Sequence, residues 1–317
     1  MSRGRIILCS VLLAVAALVL GAWFSFREPR AGGEPLSYWL QLGANPDAFW
    51  DIVPRTPQSE AAIREIGSQA IPILLAKLQA VDPPWKEKVH HWLSKQDFLR
   101  IDFTWEHEEQ AQAIYGFRVL GSNAVAALPA LEIMFTNPAT TWNAGQAMGE
   151  IGWPALPALR RGFTNAVRDV RQAALAGTFR PDLARATLSD MPPLLNDSDR
   201  IIATMALRRR LLFLPREEAT DAAIAALQGD RPHLRASALR LLNEMPVETN
   251  RVVPVLVRLL DQPDLRLSRF ITNTLKNLDP VAAAAAGVNT NPPSVVVSGR
   301  GGRRRPAPAA TNAPPQP

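Results

Sequence analysis

Apolar residues recur along most of this chain at the three-and-four spacing of helices, and the helical stretches come in pairs. The clearest pair is Glu60-Ala61-Ala62-Ile63-Arg64-Glu65-Ile66-Gly67 followed by Ala70-Ile71-Pro72-Ile73-Leu74-Leu75-Ala76-Lys77-Leu78. Glycine ends the first helix, where a backbone without Cβ can turn. Proline then opens the second, where its missing N–H costs nothing. The layout returns as Phe117-Arg118-Val119-Leu120-Gly121 with Ala127-Leu128-Pro129-Ala130-Leu131, and as Met148-Gly149-Glu150-Ile151-Gly152 with Ala155-Leu156-Pro157-Ala158-Leu159. Later copies keep the rhythm but hold the closing slot with Asp182, Pro215, Pro246 and Asp279.

From Gly121 onward the slots are 31, 30, 33, 31 and 33 residues apart. A self-similar period of that size with two helices per unit predicts an all-α fold, an α-solenoid of about seven helix pairs. The step from Gly67 to Gly121 is 54 residues, about 20 too many for the period. The surplus, Val81 to His107, is expected to form an extra helix pair or a decorated loop. The pattern divides the chain into 1–27, an N-terminal transmembrane anchor, and 28–58, a linker and cap. The solenoid follows at 59–286 with its insertion at 81–107, and then a disordered Pro/Ala/Arg tail at 287–317.

The anchor reading rests on Ile6 to Phe26, 21 residues without a charge between Arg5 and Arg27. As a helix this run would rise about 31 Å, close to the hydrocarbon thickness of a bilayer. It exceeds the apolar core of a cleavable signal peptide, and its best small-residue site, Leu20-Gly21-Ala22, is weak. A single-pass protein of a bacterial inner membrane is therefore expected, with the body outside the cytoplasm. Cys9, the only cysteine, lies inside this run, so the body has no disulfide and no thiolate ligand.

Charge changes the picture less than the net +6 suggests. Residues 1–30 carry +3 and the last 31 carry +4, leaving 27 basic against 28 acidic residues between them. The body is therefore −1: residues 31–158 carry −6 and residues 159–286 carry +5. Nucleic acid is not the expected partner of such a body.

Candidate chemistry is sparse. His90 and His91 are adjacent, pointing about 100° apart on a helix, and His107 stands among Glu106, Glu108 and Glu109 without a second histidine at ligand spacing. His233 is solitary. No metal site, cofactor or catalytic residue is assigned, and no small-molecule substrate is expected. Ser298 to Arg305 holds one arginine–glycine cluster, best read as solvated tail. Two features are candidates for an interaction surface. Trp142 and Trp153 flank one helix and could grip a peptide or fill the core between units. Arg208-Arg209-Arg210 could form an anion-binding patch, although the helical wheel puts Arg209 in the apolar arc, where it would snorkel or join a ladder between units.

Residues 59–286, with their L-G/I-G closures and A-I/L-P-x-L openings, resemble HEAT-repeat proteins, most closely the bacterial phycobilisome-lyase-like HEAT repeats. The arginines of Val170-Arg171, Leu234-Arg235 and Leu265-Arg266 add to the likeness. The resemblance implies that these arginines are structural and pair with acidic groups between repeats. It implies a fold and says little about activity. Together the observations lead to the expectation of a non-catalytic, membrane-tethered scaffold that binds a protein partner. The alternatives are an enzyme similar to HEAT-like lyases or DNA glycosylases, and a binder of anionic polymers through the basic second half.

Overall fold

The computed structural model describes residues 28–44, 57–95, 103–260 and 265–288. The expected membrane span at 6–26 lies outside them, as does the tail from residue 289 onward. Among the described residues the fold is all-α apart from one short antiparallel pair, β1 (Arg30–Ala31) and β2 (Glu34–Pro35), in register Arg30 with Pro35. Helix α1 (Leu36–Gly43) follows. Trp39 Nε1 donates to the Ala31 carbonyl at 3.1 Å, and Ser37 donates through its N–H and Oγ to Glu28, so hairpin and helix form one cap.

The body then runs as pairs. Its first helices are α2 (Pro57–Ile66), α5 (Glu106–Leu120), α7 (Thr141–Ile151), α9 (Arg168–Gly177), α12 (Arg200–Phe213), α14 (Pro232–Leu241) and α16 (Leu265–Leu278). Interleaved with them are α3 (Ile71–Leu78), α4 (Pro84–Leu93), α6 (Leu128–Thr136), α8 (Leu156–Phe163), α10 (Pro181–Ala186), α11 (Met191–Leu194), α13 (Arg216–Gln228), α15 (Thr249–Leu259) and α17 (Pro280–Ala285). Each first helix packs on the first helix before it, on the one after it, and on the second helix of the preceding pair. The cap sits on α2 and α5 at one end.

The turns explain the sequence punctuation. Gly67, Gly121 and Gly152 have φ of +61°, +52° and +89°, the last two with ψ of −131° and −136°. That region is closed to residues with a Cβ. A 3₁₀ turn then feeds the next helix, with Pro72, Pro129 or Pro157 in its first turn. Two of the later first helices, α12 and α16, end in extended backbone at Leu214 and Asp279 and so need no glycine there. Leu214 closes α12 at φ −70°, ψ 155°, and Asp279 caps α17 by accepting from Ala282 N at 2.9 Å.

Among the described residues of the insertion one helix, α4, precedes the start of α5, and residues 96–102 lie outside the described residues. Both α2 and α3 still pack directly on α5, so the extra chain leaves the row of first helices uninterrupted. Glu106 to Thr136 is the one helical run among the described residues that is long and apolar enough, by length and composition, to cross a membrane. The turn at Gly121 divides it, and Ala113, Phe117 and Leu131 within it are wholly covered by neighbouring helices.

Two apolar clusters form the core and hand over at α12. Ile202 and Ala206 belong to the cluster that starts at Ala31, whereas Ala203, Leu207 and Leu211 belong to the one that ends near Ala283. The closest helix contact is between α7 and α9. A Cβ on Gly145 would lie 2.7 Å from the Ala173 carbonyl oxygen, and one on Gly149 would press harder still on the Gly177 carbonyl. Only glycine lets these two backbones meet.

Polar links cross between units at one-period separations. Arg118 reaches Glu150, Arg160 reaches Asp190, and Arg168 reaches Asp199, at sequence distances of 32, 30 and 31. Of the expected structural arginines, Arg171 holds Asp197 through two bonds of 2.7 and 3.0 Å, and Arg235 donates to the Gly229 carbonyl. Arg231, not anticipated, donates to the carbonyls of Leu195, Asn196 and Asp197. The 195–199 loop is thus pinned from both sides. Burial alone would raise the Asp197 pKa. The Arg171 hydrogen bonds and charge and the Asp199 N–H outweigh it, leaving the pKa below its ordinary 3.8. A carboxyl lowered by folding stabilises fully above its unfolded value and loses that contribution as pH falls through the folded one. The stability gap between wild type and Asp197→Asn is therefore expected to be widest at neutral pH and to close below about pH 4, read from denaturant midpoints.

Candidate interaction surface around the arginine triplet

The three consecutive arginines on α12 take three directions, because successive helical residues turn by about 100°. Arg208 points outward, and its guanidinium lies over the Phe179 ring, 5.9 Å from the centroid. Phe179 meets Phe213 edge to face at 6.2 Å. Arg185, in the last turn of α10, covers Phe213 at 5.8 Å. The result is an alternation of two aromatic rings and two guanidiniums across the C-terminal ends of α9, α10 and α12. Cations are favoured at such ends by the helix dipoles.

Neither Arg185 nor Arg208 makes an ion pair with a carboxylate among the described residues. Next to them, Arg180 donates to the Glu150 carbonyl at 3.0 Å and contacts Asp182, which ties this edge to the Gly152 turn. A guanidinium over a ring face still presents its N–H edge. That edge matches a carboxylate in two-point geometry.

Arg209 corrects the expectation of a three-arginine surface, since it is 1% exposed. Its Nη1 donates to Thr178 Oγ1 at 2.5 Å and to Thr187 Oγ1 at 3.3 Å, and its Nη2 donates to the Leu175 carbonyl. Thr178 and Thr187 are the residues that close α9 and α10. The buried charge therefore faces the negative ends of two helices instead of a carboxylate. Burial nonetheless pushes its pKa down to about 10, so it stays charged at neutral pH.

Arg210 turns the other way, onto an open cavity of about 250 Å³ between α12 and α13. Leu207, Ala222, Ala226, Arg231 and Leu234 line the same space, which is mainly apolar. Nearby His233 has its pKa lowered by burial and by the charges of Arg231 and Arg200.

The two tryptophans stand at opposite ends of α7. Trp142 is 40% exposed in the first turn of α7, and Trp153 is 57% exposed just past its end. The helix between them rises about 16 Å. Being exposed, neither serves mainly as filling between units. His90, weighed above as a ligand, stacks edge-on against Trp105 at 5.2 Å. Among the described residues no group of three or more His, Cys, Asp or Glu side chains is placed to hold a metal ion.

Phe179, Phe213 and Arg185 were missed in the sequence because each sits alone at a helix end. Only the packing of α9, α10 and α12 brings them together. No protein-family model matches this chain, and no curated protein sequence matches it.

Proposed function

We propose that this chain is a non-catalytic scaffold tethered to a membrane by residues 6–26, with residues 59–286 forming a HEAT-like α-solenoid of about seven helix pairs. The solenoid reading is supported by the neighbour-only packing of the first helices and by polar links repeating at about one period. Each unit leaves an apolar face that only the next unit covers, as a stacked row requires. In the scaffold reading, the surface around Arg208 holds an acidic segment of a protein partner.

One observation carries the binding reading: two exposed guanidiniums lie over Phe179 and Phe213 with no carboxylate partner among the described residues. Charge-assisted bonds of this kind are worth about 1.5–3 kcal/mol each. The test is binding of the full-length, detergent-solubilised protein to a glutamate-rich peptide carrying a fluorophore. Arg185→Glu with Arg208→Glu is expected to weaken binding more than about 100-fold. Equal binding by wild type and the double variant would remove this surface from the proposal. The same arginines favour a second reading, an anionic polymer as ligand. That reading gains if retention on a polyanion column falls steeply with salt while the peptide binds weakly.

A further inference from the structure

We propose that α4 is a membrane-surface helix whose Trp85–Val89–Trp92 stripe seats in the headgroup region of an anionic bilayer. The proposal rests on the membrane tether proposed above and adds a second contact with the same bilayer.

At about 100° per residue, Trp92, Trp85 and Val89 fall within about 60° of one another on α4. All three are exposed, at 58%, 57% and 36%, and Val81 just before the helix is exposed as well. A neighbouring arc seats the helix on the fold. Leu93 is buried there, and Lys86 is bonded to Asp82 and to the Thr104 carbonyl, with its ammonium 5.2 Å from the centre of the Trp105 ring. The apolar stripe is therefore not needed to hold α4 in place. On its other flank stands Lys88, and Lys95 follows the helix end. Tryptophans in a stripe bordered by lysines are the composition of helices that lie in the bilayer interface, buried about 5–10 Å with their cations among anionic headgroups.

Position supports a lipid surface as the occupant. The described chain begins at Glu28, immediately after the uncharged run that ends before Arg27. Glu28 is fastened to the start of α1 through Ser37. The far end of α1, at Gln41 and Ala44, borders a small cavity shared with Thr104 and Glu108. Thr104 in turn accepts from Lys86 of α4. Helix α1 spans only about 12 Å, so α4 starts near the end of the molecule where the tether would leave it.

The experiment uses the full chain with Cys9 replaced by serine and a single spin label at Val89→Cys or Glu87→Cys. Both sites are exposed, and Glu87 lies about 160° from the stripe. Each protein is reconstituted with vesicles of phosphatidylcholine and phosphatidylglycerol, and circular dichroism checks the fold. The expected result is that the label at 89 collides several-fold more with oxygen than with a nickel chelate, relative to the label at 87. Protein that sediments with vesicles while both labels stay equally open to the chelate would overturn the surface-helix proposal and leave the tether intact. A label at 89 shielded only after another protein is added would overturn it in favour of protein docking. Protein that remains in the supernatant would overturn the tether, and the inference with it.

Discussion

Gly149→Ala is expected to destabilise the protein by about 1–3 kcal/mol, although alanine is the better helix former by nearly 1 kcal/mol. The loss arises because the new Cβ meets the Gly177 carbonyl, part of the backbone of α9, and a backbone in a packed helix cannot rotate aside as a side chain can. Helices α7 and α9 would have to separate, loosening Ala144, Met148 and Ala173, all of which are fully buried. Gly149→Leu should prevent folding of the first cluster altogether. Urea midpoints for wild type and Gly149→Ala test this, and an alanine variant as stable as wild type would show that the two backbones are not in contact.

Arg209→Ala is expected to cost about 2–4 kcal/mol, whereas Arg209→Met should stay within about 1 kcal/mol of wild type. Alanine opens a cavity beneath α12 and leaves the Leu175 carbonyl without its donor. Methionine refills most of the volume and removes a buried charge. The fall in the Arg209 pKa to about 10 indicates that the charged form is disfavoured by roughly 3 kcal/mol, with burial as the cause. A base whose pKa is lowered by folding carries its full penalty below the folded value and sheds it only above about pH 10. The gap between wild type and either variant should therefore be constant across neutral pH. Equal damage from methionine and alanine would mean that the guanidinium bonds to the two helix ends outweigh the burial of charge.

The helical breaks were legible because they depend on backbone rules that act within a few residues. Gly67, Gly121 and Gly152 sit where φ is positive, and Pro72, Pro129 and Pro157 open the helices that follow. The helical wheel also placed Arg209 among apolar neighbours. What it could not supply were Thr178 and Thr187, which lie 31 and 22 residues away and meet the guanidinium only after three helices have packed. The same limit hid Phe179 and Phe213, two isolated aromatics that a local pattern cannot pair. Glycines 145, 149 and 177 passed unremarked because a small residue inside a helix reads as neutral until the facing backbone is known.

The way α5 closes onto α2 and α3 despite the detour through α4 carries an evolutionary consequence. The connection between α4 and α5 can be lengthened, trimmed or exchanged without shifting the register of any later unit, because no downstream interface counts the residues spent there. Lineages that keep the remainder nearly constant would be free to rewrite this stretch, and it is there that new specificities would first accumulate.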